Sequence, residues 1–184
     1  MRINLDITPP QNSHSFATIN LHENGNLCTL NLEYPKLEKV TKDISDVLLD
    51  LVLLANTVYA VDRWIIREKA PDNWTRDFSV CLPVSNPDKW CLTQPELNKC
   101  LSFLTGDIWD IKFDKRNTSL ILKNQERLPL TTTGGQAVSL FSGGLDSLVG
   151  VINWLEENKD RSLVLVGHHD PRMAGPLSDQ EGTL

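Results

Sequence analysis

The chain has 184 residues, of which 40% are hydrophobic and 23% charged, with a net charge of −6 at pH 7. This composition is that of a globular protein rather than a low-complexity chain, and the charge lacks the basic footprint of an RNA-binding enzyme, which counts against that class without excluding it. The first residues have no signal-peptide pattern, and the most apolar window, Val47 to Ala55, is too short to span a bilayer. We therefore expect a cytoplasmic protein without a membrane partner, and nucleic acid is not indicated as a ligand.

The N-terminal part begins with three segments of alternating apolar and polar residues. Ile3–Ile7, Ala17–Leu21 and Cys28–Leu32 show the period of two that predicts strands. Asn24-Gly25 lies between the last two segments, and this dipeptide strongly favours a two-residue hairpin turn. Helix-spaced apolar residues then predict a long helix from about Lys42 to Arg67.

The middle of the chain continues the same mixture of strands and helices. Phe78–Val84 is predicted as a strand, and Pro95–Leu104 as a short helix with Thr93 as its N-cap and Gly106 behind its end. Alternation predicts a further strand at Trp109–Phe113, with Leu120–Leu122 returning as its hairpin partner.

A composition change marks the end of this first domain. Residues 131–136 are rich in Thr and Gly and are predicted to be a linker. We expect residues 1–130 to form an α+β domain that acts as a scaffold or docking unit, because helix and strand patterns explain most of its ionisable residues.

The four cysteines, Cys28, Cys81, Cys91 and Cys100, contain no C-x-x-C pair. Without a secretory signal, this spacing favours reduced and mostly buried thiols over a zinc site.

A second pattern of strand, turn and helix starts at Ala137. The apolar run Ala137–Phe141 leads into Ser142-Gly143-Gly144-Leu145-Asp146-Ser147, and a helix is predicted next from Leu148, Val151, Ile152 and Leu155. Such a turn presents the unpaired amides of a helix N-terminus to an anion. A carboxylate at Asp146 would repel phosphate unless a cation lies beside it, so the loop suits a phosphate with a metal ion. An ordinary turn capped by Ser142 or Asp146 is the alternative.

A buried strand is predicted at Ser162–Gly167, and its continuous apolar character is typical of a parallel strand covered on both faces. The segment from Ala137 onward is thus a βαβ unit, in which ligands bind beyond the carboxyl ends of the strands. His168, His169 and Asp170 follow this second strand and become candidates for the same site. A polar loop with two solvated imidazoles explains them equally well.

The segment Ser142–Ser147 resembles the S-G-G-x-D-S signature of the PP-loop ATP pyrophosphatase superfamily at all five specified positions. The nucleoside-triphosphate P-loop does not fit, because it requires a Lys that is missing here. The resemblance implies that residues 137–184 begin a doubly wound parallel-sheet domain of the adenine nucleotide α-hydrolase-like type.

The resemblance also implies roles for individual residues. ATP would be bound by Ser142, Gly143, Gly144, Leu145, Asp146, Ser147, His168 and His169, with the two histidines near the nucleoside. Asp146 would hold Mg²⁺ directly or through water, and Asp146 and Ser147 would be the catalytic residues.

Within the superfamily, "LFSGGLDSLVG" followed by "LVLVGHHD" is similar to the QueC group. The roughly 135 residues before the loop, and Gly167-His168-His169-Asp170 in place of an aromatic-rich stretch, resemble the QatC type found in anti-phage defence operons. This resemblance implies a ligase that adenylates a carboxylate, expected to be 7-carboxy-7-deazaguanine. Its partners would be a deazaguanine-type small molecule and other operon-encoded defence proteins.

Two other functions stay open. One is another PP-loop enzyme of the tRNA thiolase or amidotransferase type, although thiolases normally need cysteines near the loop and all four precede residue 101. The other is a non-catalytic nucleotide-binding module.

We expect these 184 residues to be the first part of a longer protein, because two strands and one helix are too few to bury the core of a doubly wound sheet.

From Gly134 onward, three basic residues stand against seven acidic ones. The chain alone should therefore bind Mg-ATP weakly and turn none over. ATP carries about four negative charges, and each exposed like charge within a Debye length adds on the order of 1 kcal/mol of repulsion. Titration calorimetry with Mg-ATP tests this, and micromolar affinity would contradict it.

Overall fold

A computed structural model describes residues 1–11, 17–32, 44–121 and 137–167. The chain divides into two compact units, Met1–Pro129 and Leu130–Leu184. The predicted linker at residues 131–136 lies outside the described residues. Both units combine strands and helices, so the fold is mixed α/β.

A five-stranded mixed sheet forms the first unit. Its strands are β1 (Arg2–Thr8), β2 (Ala17–Glu23), β3 (Asn26–Leu32), β4 (Asp77–Val84) and β5 (Ile108–Lys115). Their order in the sheet is β3-β2-β1-β4-β5. β1, β2 and β3 pair antiparallel, whereas β1, β4 and β5 pair parallel.

The hairpin between β2 and β3 confirms the Asn-Gly prediction. Asn24 has φ 46° and Gly25 has φ 82°, and positive φ at both central residues is what a type I′ turn requires. The two strands pair one-to-one from Glu23–Asn26 to Ala17–Leu32.

The long helix α1 (Asp46–Trp64) begins at Ser45, whose hydroxyl accepts a hydrogen bond from the Leu48 amide at 3.3 Å. The predicted end at Arg67 is wrong, because Ile65 is already extended and a short 3₁₀ turn covers Arg67–Lys69. The carbonyl oxygens of Asp62 and Ile65 accept hydrogen bonds from Arg76, which satisfies the helix end at this point. Among the described residues, no helix is long and apolar enough to cross a membrane.

Two shorter helices connect β4 to β5. The five-residue helix α2 (Pro87–Cys91) was not predicted, and the Asn86 side chain caps it by accepting from the Lys89 amide at 3.3 Å. Helix α3 (Gln94–Thr105) matches its prediction and ends at Gly106, which has φ 72°. Thr93 makes no side-chain bond to the start of α3, since its hydroxyl donates to the Trp90 carbonyl.

The predicted hairpin after β5 is wrong for the residues that the structure describes. Residues 116–121 form no strand, and Leu122 lies outside the described part. β5 pairs with β4 in parallel, and the side chains of α3 bind its other edge. Leu120 is instead fully buried in the core.

One face of the sheet forms the core of the first unit. Alternate residues of each strand are buried there, including Ile3, Ile19, Leu21, Phe78, Val80, Leu82, Trp109 and Ile111. Leu49, Leu53 and Val61 of α1 belong to the same cluster. The opposite face carries mainly polar side chains, so the sheet is apolar on one side only.

The second unit confirms the predicted strand, helix and strand. β6 (Ala137–Leu140), α4 (Leu145–Glu157) and β7 (Leu163–Val166) form a βαβ unit with β6 and β7 in parallel. The prediction that β7 is covered on both faces is wrong for the described residues. Val138, Leu140, Val164 and Val166 share one face of the two strands and are exposed by 67%, 80%, 36% and 44%.

A buried ion cluster joins α1, β4 and β5. The Arg76 guanidinium contacts Asp107 at 2.5 Å and Asp62 at 2.5 Å, and both Arg76 and Asp107 are almost fully buried. Arg67 adds a second contact to Asp107 at 3.0 Å. Burial would raise the pKa of Asp107, but the hydrogen bonds and charge of Arg76 outweigh it and hold the pKa below its usual value.

Asp107→Asn should lower the free energy of unfolding by about 3–5 kcal/mol, because it removes the buried carboxylate that Arg67 and Arg76 share and leaves Arg76 with the half-exposed Asp62 alone. Urea denaturation at pH 7 measures the change. Asp110→Asn is the matched control, since its ion pair with Lys112 is exposed and such pairs contribute at most about 1 kcal/mol. Equal effects of the two substitutions would contradict the role given to Asp107.

The same carboxylate predicts an acid dependence of stability. A group with a lowered folded-state pKa contributes stability above its unfolded pKa, about 3.9 for Asp, and loses it as pH falls through the folded value. Between these two pH values the wild type should lose stability more steeply than Asp107→Asn. Parallel curves of unfolding free energy against pH would be the contrary result.

Candidate functional site

The candidate loop leaves the sheet at a buried anchor. Phe141 is 3% exposed, and its amide donates to the Val166 carbonyl at 2.9 Å, one residue beyond the paired strands. Leu140 and Val166 are direct partners, so the carboxyl ends of β6 and β7 lie side by side. The loop therefore begins at the edge where parallel α/β sheets bind ligands.

Two glycines with different conformations form the turn. Gly143 has φ 83°, a left-handed conformation in which an L side chain is strained. Gly144 is extended, with φ −80° and ψ 162°, and occupies the N-cap position of α4. Gly144 has no side chain with which to cap the helix, and the alternative of an ordinary polar turn stays open.

The two serine hydroxyls of the motif lie together inside the turn. Ser142 Oγ is 3.2 Å from Ser147 Oγ and accepts a hydrogen bond from the Gly144 amide at 3.3 Å. The Ser147 hydroxyl donates to the Gly144 carbonyl at 2.8 Å. Sequence spacing did not predict this contact, because residues five apart meet only when the turn folds back on the helix.

The first turn of α4 presents backbone donors. The Leu148 amide is the first to bond within the helix, to the Gly144 carbonyl at 3.1 Å. The amides of Leu145, Asp146 and Ser147 precede it and have no intrahelical acceptor. With the positive end of the helix dipole beside them, these three donors suit an anion such as a phosphate.

Asp146 is the acidic residue of this first turn. Its side chain is exposed and makes no ion pair with any described residue. Mg²⁺ prefers oxygen ligands and is commonly held by one or two carboxylates together with water and substrate phosphates, so Asp146 fits such an ion. In the described part of the chain, no group of three or more His, Cys, Asp or Glu side chains could hold a metal by itself.

The remaining predicted site residues divide into two groups. Leu145 is the first residue of α4, and its side chain is 73% exposed. It would contribute its backbone amide to the site. His168, His169 and Asp170 lie outside the described residues.

The cysteines are distributed differently from the prediction of mostly buried thiols. Cys91 and Cys100 are exposed, while Cys28 and Cys81 are half-buried, and all four are free. Burial, and then the neighbouring Asp114 carboxylate 2.8 Å from its sulfur, raise the pKa of Cys81 to about 11. Cys81 is therefore a protonated thiol at neutral pH and a poor nucleophile.

Gly143→Ala should destabilise the loop by about 1–2 kcal/mol, because alanine is strained at positive φ. Hydrogen exchange of a peptide spanning residues 141–150 should become faster. Gly144→Ala is the matched control, since its φ suits any residue and the added Cβ would lie 3.4 Å from Ser142 Oγ, an ordinary contact. Equal exchange in the two variants would contradict a role for the conformation of Gly143.

Comparison of the chain with protein-family models, curated proteins and solved structures gave no match. The resemblance to PP-loop enzymes therefore rests on the motif at residues 142–147 and the flanking segments of the second unit. Its functional content is a proposal.

Proposed function

We propose that the second unit binds ATP as a PP-loop enzyme of the QueC-like type and transfers AMP to a carboxylate with release of pyrophosphate. One observation carries the proposal. The residues Ser142–Ser147, which match the signature of that superfamily, form the turn between a parallel strand and a helix N-terminus. A chance match of five residues would not require this placement.

The loop suits the pyrophosphate end of ATP. The amides of Leu145, Asp146 and Ser147 supply backbone donors, and the hydroxyls of Ser142 and Ser147 lie on the same turn. The loop contains no lysine, so these neutral donors would bind the phosphates by hydrogen bonds and the helix dipole. Such donors are already in place before the reaction and would stabilise charge that develops on the leaving pyrophosphate.

Asp146 would hold Mg²⁺ directly or through water. When bound, the ion would neutralise part of the phosphate charge. Asp146 belongs to the first turn of α4, the same turn whose amides would bind phosphate. A carboxylate and a phosphate repel each other there unless a cation lies between them, so an Asp at this position favours a site that binds phosphate together with a metal ion.

The chemistry follows from the poor reactivity of a carboxylate. Attack of its oxygen on the α-phosphorus of ATP forms an acyl-adenylate and releases pyrophosphate. An amine then attacks the acyl carbon, and AMP leaves. We propose 7-carboxy-7-deazaguanine as the acid, with ammonia or the N-terminus of a partner protein as the amine, because the flanking segments resemble the QatC type.

The thiolase alternative is less well supported by the cysteines. All four belong to the first unit, and the second unit contains none. The superfamily's sulfur-transferring members normally need cysteines near the loop. The ligase proposal needs no thiol.

Asp146→Ala in the intact protein should abolish AMP release from ATP in the presence of 7-carboxy-7-deazaguanine, because phosphate binding would lose its cation. Chromatographic measurement of AMP over time tests this. The side chain is exposed, so we expect the fold to survive with a loss of at most about 1 kcal/mol of helix-dipole stabilisation.

Asp160→Ala is the matched control. It removes one exposed negative charge from the connection at the amino end of β7, whereas the loop lies at the carboxyl ends of the strands. AMP release should therefore be unchanged. AMP release by Asp146→Ala at the wild-type rate would contradict the proposal. Mg-ATP binding by the intact wild type without AMP release would favour a non-catalytic nucleotide-binding module.

A further inference from the structure

The two edges of the five-stranded sheet differ. At the β5 edge, polar side chains of α3 bind the free backbone groups. Asn98 Oδ1 accepts from the Ile111 amide at 3.1 Å, the Gln94 amide group donates to the Ile111 carbonyl at 2.6 Å, and Ser102 Oγ accepts from the Trp109 amide at 3.3 Å. Gln94, Asn98 and Ser102 are four residues apart and share one face of the helix. They replace a sixth strand, so this edge is closed.

The β3 edge has no such cover among the described residues, since β3 ends the sheet and pairs with β2 alone. The type I′ turn joins Glu23 to Asn26, which makes these two a hydrogen-bonded pair. Pairs alternate along an antiparallel ladder, so the N–H and C=O groups of Leu27, Thr29 and Asn31 point away from β2. β3 therefore offers a regular row of three donors and three acceptors.

β3 also lacks the features that normally protect an edge strand. The segment Asn26–Leu32 contains no charged residue and no proline. Its one-to-one pairing with β2 shows no bulge. Natural proteins use charges, prolines, bulges or a covering element to stop edge strands from pairing with other chains. The seven residues of β3 have no charge, proline or bulge, and no element in the described part of the chain covers their outer edge, so this edge is suited to accept another strand.

We propose that β3 pairs antiparallel with β3 of a second copy of this chain, which joins two sheets about a two-fold axis at Thr29. This register places Thr29 opposite Thr29 of the second copy, and Leu27 opposite Asn31. In this register, the outward N–H and C=O groups of Leu27, Thr29 and Asn31 in each copy all pair with those of the other copy.

The core-facing side chains of β3 also favour a second copy of this chain as the partner strand. Cys28 and Leu30 are half-buried and pack against the core of the first unit. In the two-fold register, Cys28 of each copy lies opposite Leu30 of the other. The apolar layer thus continues from one core into the next, which a charged or polar partner strand would not allow. The absence of charge on β3 also removes any like-charge penalty for pairing with itself.

Paired charge variants of the full chain test the proposal. Thr29 is exposed and its hydroxyl donates to Asn20 Oδ1 at 2.8 Å, so substitution there leaves the core untouched. Thr29→Lys and Thr29→Glu each place two like charges directly opposite one another at the axis. We expect each homodimer to be about fivefold weaker or more. An equimolar mixture should recover a heterodimer, because the opposed charges then attract.

Thr29→Val is the control, since it removes the hydroxyl but adds no charge, and it should stay dimeric. Sedimentation equilibrium from micromolar to submillimolar concentration measures all four proteins. Hydrogen exchange at Leu27, Thr29 and Asn31 should slow as the dimer forms. A wild type that is monomeric throughout, a dimer that neither charged variant weakens, or slow exchange of these three amides in the monomer would each overturn the proposal.

Discussion

The guanidinium of Arg76 uses all five of its N–H donors inside the first unit. They bond to Asp107, to the Asp62 carboxylate, and to the carbonyl oxygens of Asp62 and Ile65. Arg76 precedes β4, Asp107 precedes β5, and Asp62 and Ile65 lie at the end of α1. One buried cation therefore determines where the helix ends and how it meets the start of two parallel strands. Because Arg76 and Asp107 are both buried, removal of either charge leaves the other one poorly compensated.

A second buried carboxylate has the same role at the opposite ends of these strands. Asp50 of α1 accepts hydrogen bonds from Ser85, Trp90 and Arg116, and it is fully buried. Ser85 follows β4 and Arg116 follows β5. Asp50 therefore binds the first turns of α1 to the carboxyl ends of these two strands, whereas Arg76 binds the end of α1 at their amino ends. Buried polar contacts thus connect α1 to both ends of the parallel strands β4 and β5.

The two units differ in how they could serve function. The first has a closed edge, an open edge and a polar sheet face, and each of its described buried ions lies in an ion pair with a structural partner. The second has a turn in which a positive-φ glycine, two neighbouring hydroxyls and free helix amides lie beside an exposed carboxylate. Chemistry is therefore proposed for the second unit and association for the first. The two proposals depend on different residues and can fail separately.

The sequence by itself determined the features that depend on neighbours along the chain. Alternation predicted β1, β2, β3 and β5, Asn24-Gly25 predicted the hairpin, and the loop motif predicted a strand, turn and helix around Ser142–Ser147. Tertiary structure decided the rest. Arg76 ended α1 three residues early, and α3 bound the edge of β5 that a hairpin at Leu120 would have used. The Ser142–Ser147 contact likewise required the turn to fold. The first two depend on groups brought together from positions 11 or more residues apart, and the third on the path of the turn; local periodicity carries no signal for either.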